Sequence, residues 1–199
     1  MCPSKTCPSK TCPSQTDEAL IRAIACGNSA AMRTLFDRHR GKVFRFLQRL
    51  LRSEASADEL TGEVFLEIWR NAGRFEGRSA VTTWILAIAR FKALSLLRRE
   101  RECECELDET TAAALPDHAD GPELALQHKD RGKILRTFLG RLSLDHREVI
   151  DLIYYHDKSI DEVARIINIP VNTVKTRMFY ARRRLERELE QAGMQPEFL

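Results

Sequence analysis

The stretch from Ser159 to Leu185 leaves the chain few folds, because Pro170 divides two amphipathic segments where neither can continue as a helix. Proline disfavours the helical conformation of the residue before it, so the first segment stops at Asn168-Ile169. Ser159 and Glu162 stand at capping-box spacing, in which hydroxyl and carboxylate each satisfy a free backbone N–H. Val163, Ile166 and Ile167 then share one helical face. Beyond the break, Asn172 or Thr173 caps a second helix on which Val174, Met178, Ala181 and Leu185 form an apolar stripe. Its other faces carry Thr173, Lys175, Thr176, Arg177, Phe179, Tyr180, Arg182 and Arg183. This is a helix-turn-helix pattern with a basic second helix, suited to a DNA major groove. The plainer reading of the same residues is a helical hairpin with solvated arginines.

The rest of the chain reads as all-α. At 199 residues, 43% hydrophobic and 31% charged, it can bury a core and stay in solution. The net charge of +3 is small, but basic residues gather in Arg90–Arg101 and Lys175–Arg187, and phosphate contacts depend on such local clusters. No apolar run is long enough to span a bilayer, and the N-terminus lacks the apolar core of a signal peptide. A cytoplasmic location without membrane insertion is expected, with the six cysteines reduced.

Residues 1–16 hold a repeated Cys-Pro-Ser motif without large apolar residues and are expected to form a disordered tail. Cys2, Cys7 and Cys12 are its candidates for a soft metal or disulfides, although the spacing is not that of a zinc site. A first domain is expected over 17–101. It begins with a short helix from Asp17-Glu18, then a longer one capped by Asn28 or Ser29 and interrupted in propensity by Gly41. After a turn at Ser53–Ser56, a third helix puts Leu60, Val64, Phe65, Ile68 and Trp69 inward and Asp58, Glu59, Glu63 and Glu67 outward. A glycine-containing loop leads to a fourth helix starting at Thr82 or Thr83 and ending at Arg101. An acidic, turn-rich linker is expected over 102–121, and a second helical domain over 122–192, before a tail at 193–199. In that domain one helix starts at Pro122, and Ser143 caps another over Leu144–His156.

Taken together, the stretch from about Asp17 to Glu190 resembles a bacterial RNA polymerase sigma factor of the extracytoplasmic-function (ECF) class. Asp58-Glu-Leu-Thr-Gly-Glu-Val-Phe-Leu-Glu-Ile-Trp-Arg70 is similar to the family's polymerase-binding helix. Thr83-Trp-Ile-Leu-Ala-Ile-Ala-Arg90 followed by Leu96-Leu-Arg-Arg99 resembles its minus-ten reading helix, and Leu142–Ile150 with the helix-turn-helix resembles its minus-thirty-five domain. The resemblance implies two partners, core RNA polymerase and promoter DNA, and a third, an anti-sigma factor of a stress response. It implies no cofactor and no catalysis. Asp58, Glu59, Glu63, Phe65 and Glu67 would dock on polymerase. Phe75, Arg78, Trp84, Arg90, Lys92, Arg98 and Arg99 would hold the minus-ten strand as it leaves the stack. Phe75 reads equally as a core plug, and Trp84 lies on the apolar stripe. Thr173, Lys175, Thr176, Arg177, Phe179, Tyr180, Arg182 and Arg183 would meet the minus-thirty-five element, with Arg177 placed to pair with guanine. Departures from the family's common pattern fall at Glu59, Gly62, Phe91, Ser95 and Tyr180. The competing readings are a conventional helix-turn-helix regulator and a cysteine-based metal or redox sensor using Cys103, Cys105, Cys26 or the tail.

Overall fold

The computed structural model describes residues 16–107 and 139–191, without the side chains of 103–107. Among the described residues every regular element is a helix. Most helices begin where the sequence supplies a cap. Thr16 accepts the Ala19 N–H at 3.3 Å and opens α1 (Asp17–Ala25). Asn28 accepts the Ala31 N–H at 3.0 Å and opens α2 (Ser29–Leu51), which runs through Gly41 without a break. Ser53 accepts the Ser56 N–H at 3.2 Å and opens α3 (Glu54–Asn71). The turn expected over Ser53–Ser56 therefore shrinks to Arg52-Ser53, with Arg52 left-handed at φ 59°.

A short 3-10 turn (Ala72–Arg74) and a loop, in which Gly77 takes a positive φ of 70°, lead to α4 (Val81–Leu107). This helix starts just before the expected Thr82 and runs past Arg101 into the acidic stretch, because no proline or glycine stands between Arg101 and Leu107. The remainder of the linker, the helix expected from Pro122, both tails and the metal candidates Cys2, Cys7 and Cys12 lie outside the described residues.

The second half corrects three expectations. The helix expected over Leu144–His156 is α5 (Leu144–Ile150) followed by a wider π-helical turn at Asp151–Tyr155. Ser143 occupies the N-cap position without a side-chain bond. The preceding carbonyls are held instead by Arg147, which donates to Leu139, Gly140 and Leu142 at 3.1, 3.0 and 2.9 Å. The capping box at Ser159 and Glu162 is present and opens α6 (Ile160–Ile167). Asn168 closes α6 in the left-handed conformation at φ 58°, which asparagine tolerates better than most residues. α7 (Val171–Gln191) starts earlier than the expected caps, with Thr173 and Val174 donating to the Pro170 carbonyl at 2.9 and 3.2 Å.

Leu20, Ile24, Leu35, Leu47, Val64 and Ile68 close the interior of α1 to α4, while Val149, Leu152, Val163, Ile167 and Val174 close that of α5 to α7. These are not two cores. They belong to one continuous apolar cluster, because α6 lies on α4 and α5 on α2. A smaller cluster of Leu139, Leu142, Ile150, Ala181 and Leu185 secures α7 to α5. Trp69, expected inward on α3, is 39% exposed, as is its neighbour Leu66 at 56%.

Gly62 lies on the exposed face in the middle of α3, and a Cβ there would meet nothing within 4 Å. Glycine in a helix interior costs about 0.5–1 kcal/mol relative to alanine through lost backbone freedom. Gly62→Ala should therefore raise stability by about that amount, read as a higher midpoint in thermal or urea denaturation. An unchanged or lower midpoint would contradict the account of α3.

Candidate polymerase and nucleic-acid interfaces

Three surfaces carry the expected site residues. The first is the outer face of α3. Asp58, Glu59, Glu63, Leu66 and Trp69 are exposed there around Gly62. Asp58 accepts a bond from Arg40 at 3.2 Å, Glu63 from Lys92 at 2.9 Å, and Glu67 from Asn71 at 2.5 Å. Phe65 is a correction: it is 3% exposed and meets Phe36 edge-on, with ring centroids 4.8 Å apart. It belongs to the core, and the apolar groups offered outward are Leu66 and Trp69.

The second surface joins the loop before α4 to α4 itself. Phe75 is packed against Trp84 with ring centroids 5.1 Å apart, and both are half-buried, so neither is a free stacking platform. Arg78 stands in solvent at the loop tip and pairs with Glu76 at 2.5 Å. Arg98 and Arg99 are exposed with no partner among the described residues. Lys92 is engaged with Glu63 and Arg90 with Glu148, a residue of α5 that is 1% exposed. Burial pushes the Glu148 carboxyl above its ordinary pKa, and the charge and hydrogen bond of Arg90 pull against that shift. Phe91 projects from α4 and is 73% exposed.

The third surface is the outer face of α7. Lys175, Thr176, Phe179, Tyr180 and Arg183 are exposed along it, with Asn172 at its N-terminal end and Thr173 partly covered. Phe179 and Tyr180 form a T-shaped pair 5.5 Å apart. Two expected contacts are tied to the fold instead. Arg177 pairs with Asp145 of α5 at 2.9 Å, and Arg182 donates to the Tyr154 hydroxyl while lying over that ring. Leu66, Asp145, Glu148 and Tyr154 were not among the expected site residues. Leu66 was legible from its step along α3, whereas the other three act through partners far away in sequence.

Two family models match this arrangement: Sigma-70 region 2 over residues 35–103 and Sigma-70 region 4 over residues 132–185. Together they take in more than half of the chain, in the order of the two helical halves. The chain belongs to the sigma-70 family, as an ECF sigma factor. The ECF RNA polymerase sigma factor SigK of Mycobacterium tuberculosis (strain H37Rv) is 29% identical over 175 residues, covering 87% of this chain and 93% of that one. The SigK of Mycobacterium sp. (strain KMS) is 26% identical over 162 residues, covering 81% and 84%. Among solved structures, the sigma factor RpoE in complex with the anti-sigma factor NepR from Bartonella quintana has a TM-score of 0.64 at 24% identity. It covers 79% of this chain and 96% of RpoE. CnrH, in complex with the cytosolic domain of CnrY, has a TM-score of 0.65 at 22% identity and covers 88% and 97%. The sigma-factor fold thus extends over both halves; α3 and α6 lie within the matched regions, and α4 and α7 lie largely within them.

Between the two sigma regions lies a polar cluster that the sequence did not reveal. Lys158 donates to Glu162 at 2.9 Å and to Thr82 and Thr83 at 2.7 and 3.2 Å, and Thr83 donates to Glu162 at 2.7 Å. Burial pushes the Glu162 carboxyl up. The bonds from Lys158, Thr83 and the Ser159 backbone and the charge of Lys158 outweigh it, holding the pKa down at about 2. A carboxylate with a depressed folded pKa adds stability above its unfolded value, and that stability is lost as pH falls through the folded value. The Glu162 contribution should therefore persist well below pH 4.5 and fade toward pH 2. Carboxyl NMR titration should find Glu162 with a midpoint near 2, rising toward the ordinary 4.5 in Lys158→Met. An ordinary midpoint in the unmodified chain would contradict the cluster.

Proposed function

We propose that this sigma factor binds core RNA polymerase through the outer face of α3, meets the minus-ten strand with α4 and the loop before it, and holds the minus-thirty-five element with the outer face of α7. The observation that carries this reading is the order of the two matched regions, with an acidic and apolar face on the first and a basic helix-turn-helix face on the second. Carboxylates beside exposed Leu66 and Trp69 suit a basic partner surface: the apolar pair supplies the buried anchor, and the charges supply orientation and encounter rate. On α7, Lys175, Thr176 and Arg183 point outward and are free of ion pairs among the described residues, so they replace Arg177 as the first candidates for contact with DNA. Arg177 and Arg182 position the helix. The chain works by binding, carries out no catalysis of its own, and acts in the cytoplasm where polymerase meets DNA. An anti-sigma factor, as in the complexes of RpoE and CnrH, restrains it by covering polymerase-binding surface. A conventional helix-turn-helix regulator would need its first half to sense or dimerise, and that half matches Sigma-70 region 2.

The two surfaces separate in experiment. Leu66→Asp with Trp69→Asp should weaken association with core polymerase about tenfold or more, since truncating a buried anchor costs more than about 1 kcal/mol. Lys175→Ala with Arg183→Ala should leave polymerase binding within about twofold yet lower promoter-directed run-off transcription, because phosphate and base contacts are lost. If both variants reduced both readouts equally, the division of labour would be wrong. Failure of the unmodified chain to associate with core polymerase would overturn the functional reading.

A further inference from the structure

We propose that Phe91 is the stacking platform for one unpaired base of the separated minus-ten strand, so that the chain reads that position by the size of the base and not by its hydrogen-bonding edge. This deepens the sigma-factor reading and rests on it. Phe91 is one of the positions at which the chain departs from the family's common pattern. It is 73% exposed, more than any other large apolar side chain among the described residues. Trp84, Phe91 and Arg98 recur every seven residues along α4, two turns or about 10 Å apart, and so share one face. Trp84 is turned onto Phe75 with 5.1 Å between ring centroids, which leaves Phe91 as the ring on that face open to a base. Beyond it Arg98, with Arg99 beside it, is exposed and has no partner among the described residues. Glu102, one turn past Arg98, ends the basic part of the face.

The chemistry of this face suits a single strand. Unpaired bases stack on aromatic rings while basic groups along the same track hold the phosphates, and every base has a π-face to offer. In a duplex both faces of each base are covered by its neighbours, so Phe91 can engage only a base that has left the stack. The polar groups near Phe91 that could read a base edge are committed. Ser95, one turn further along the same face, donates its hydroxyl to the Phe91 carbonyl at 2.9 Å. Lys92 is held by Glu63 at 2.9 Å, and the Arg90 Nε by Glu148. Stacking area then distinguishes one base from another, and a two-ring purine offers more of it than a pyrimidine. A single exposed aromatic is ordinary on a protein surface. This one lies within region 2, in line with the Phe75 loop at one end and two free guanidinium groups at the other, and those cations favour a phosphate-bearing occupant over a protein.

The test uses holoenzyme assembled from core polymerase and the full chain, on a promoter recovered by run-off transcription from a randomised library. Templates are mismatched over the minus-ten element, so that binding needs no strand opening, and an abasic site is walked along each strand of the mismatch. At one position the abasic site should weaken binding about tenfold with the unmodified chain and less than about twofold with Phe91→Ala, a coupling that a residue acting elsewhere would not show. At that position a purine should bind at least about threefold tighter than a pyrimidine, a preference kept by Phe91→Trp and lost in Phe91→Ala. The ring is exposed, so neither substitution opens a cavity, and association with core polymerase should stay within about twofold in both variants. An abasic penalty of the same size in Phe91→Ala as in the unmodified chain at every position would overturn the stacking role. Loss of polymerase association in Phe91→Ala would overturn it as well, in favour of a protein contact. If the unmodified chain did not bind polymerase, the sigma-factor reading would fall and the role of Phe91 with it, whereas a holoenzyme that transcribes without the coupling refutes the stacking alone.

Discussion

The half-buried guanidinium of Arg90 meets the fully buried carboxyl of Glu148, and much of the architecture follows from that pairing. Leaving the Glu148 charge unpaired in the interior would cost several kcal/mol, so α4 and α5 must stay in register with one another or separate altogether. The apolar cluster running from α1 to α7 imposes the same choice, since Ile85, Val163 and Ile167 exclude water only when α6 lies on α4. Two sequence regions that could have been independent helical units are therefore held in a single arrangement by groups 58 residues apart, as in Arg90 to Glu148.

That arrangement sorts the functional surfaces by accessibility. The outer face of α3 is open, with Leu66 and Trp69 exposed among carboxylates, and so is the outer face of α7. The beginning of α4 is covered by Lys158 and Glu162, while Phe91, Arg98 and Arg99 farther along it stand in solvent.

Local chemistry was legible in the sequence and long-range chemistry was not. The Ser159–Glu162 capping box, the break at Asn168-Ile169-Pro170 and the stripe of Val174, Met178, Ala181 and Leu185 depend on neighbours within a turn or two, and they stand in the structure as the spacing predicts. Phe65 and Trp69, one helical turn apart on α3, both read as inward; only Phe65 is covered, because helical spacing defines a stripe but not which edge of it a neighbouring helix reaches. Arg177 reads as a free guanidinium until Asp145 is placed beside it. Arg147 gives no sequence signal of its role in holding the carbonyls of Leu139, Gly140 and Leu142, and burial lowers its pKa to about 10, helped by the charge of Arg52. The π-helical turn places Asp151 inward beside Arg49, a partner 102 residues away in sequence.

The most direct test of the account is the distance between α4 and α7 before and after the chain meets its partners. Spin labels at Ser95 and Lys175, in a chain whose native cysteines are replaced by serine, would report it by pulsed electron resonance. The free chain should show one narrow, short distance, because the two helices belong to one packed body. Adding core polymerase and promoter DNA should replace it with a distance several tens of ångströms longer. The same short distance in the free chain and in the transcription complex would contradict the account, as would a broad distribution in the free chain.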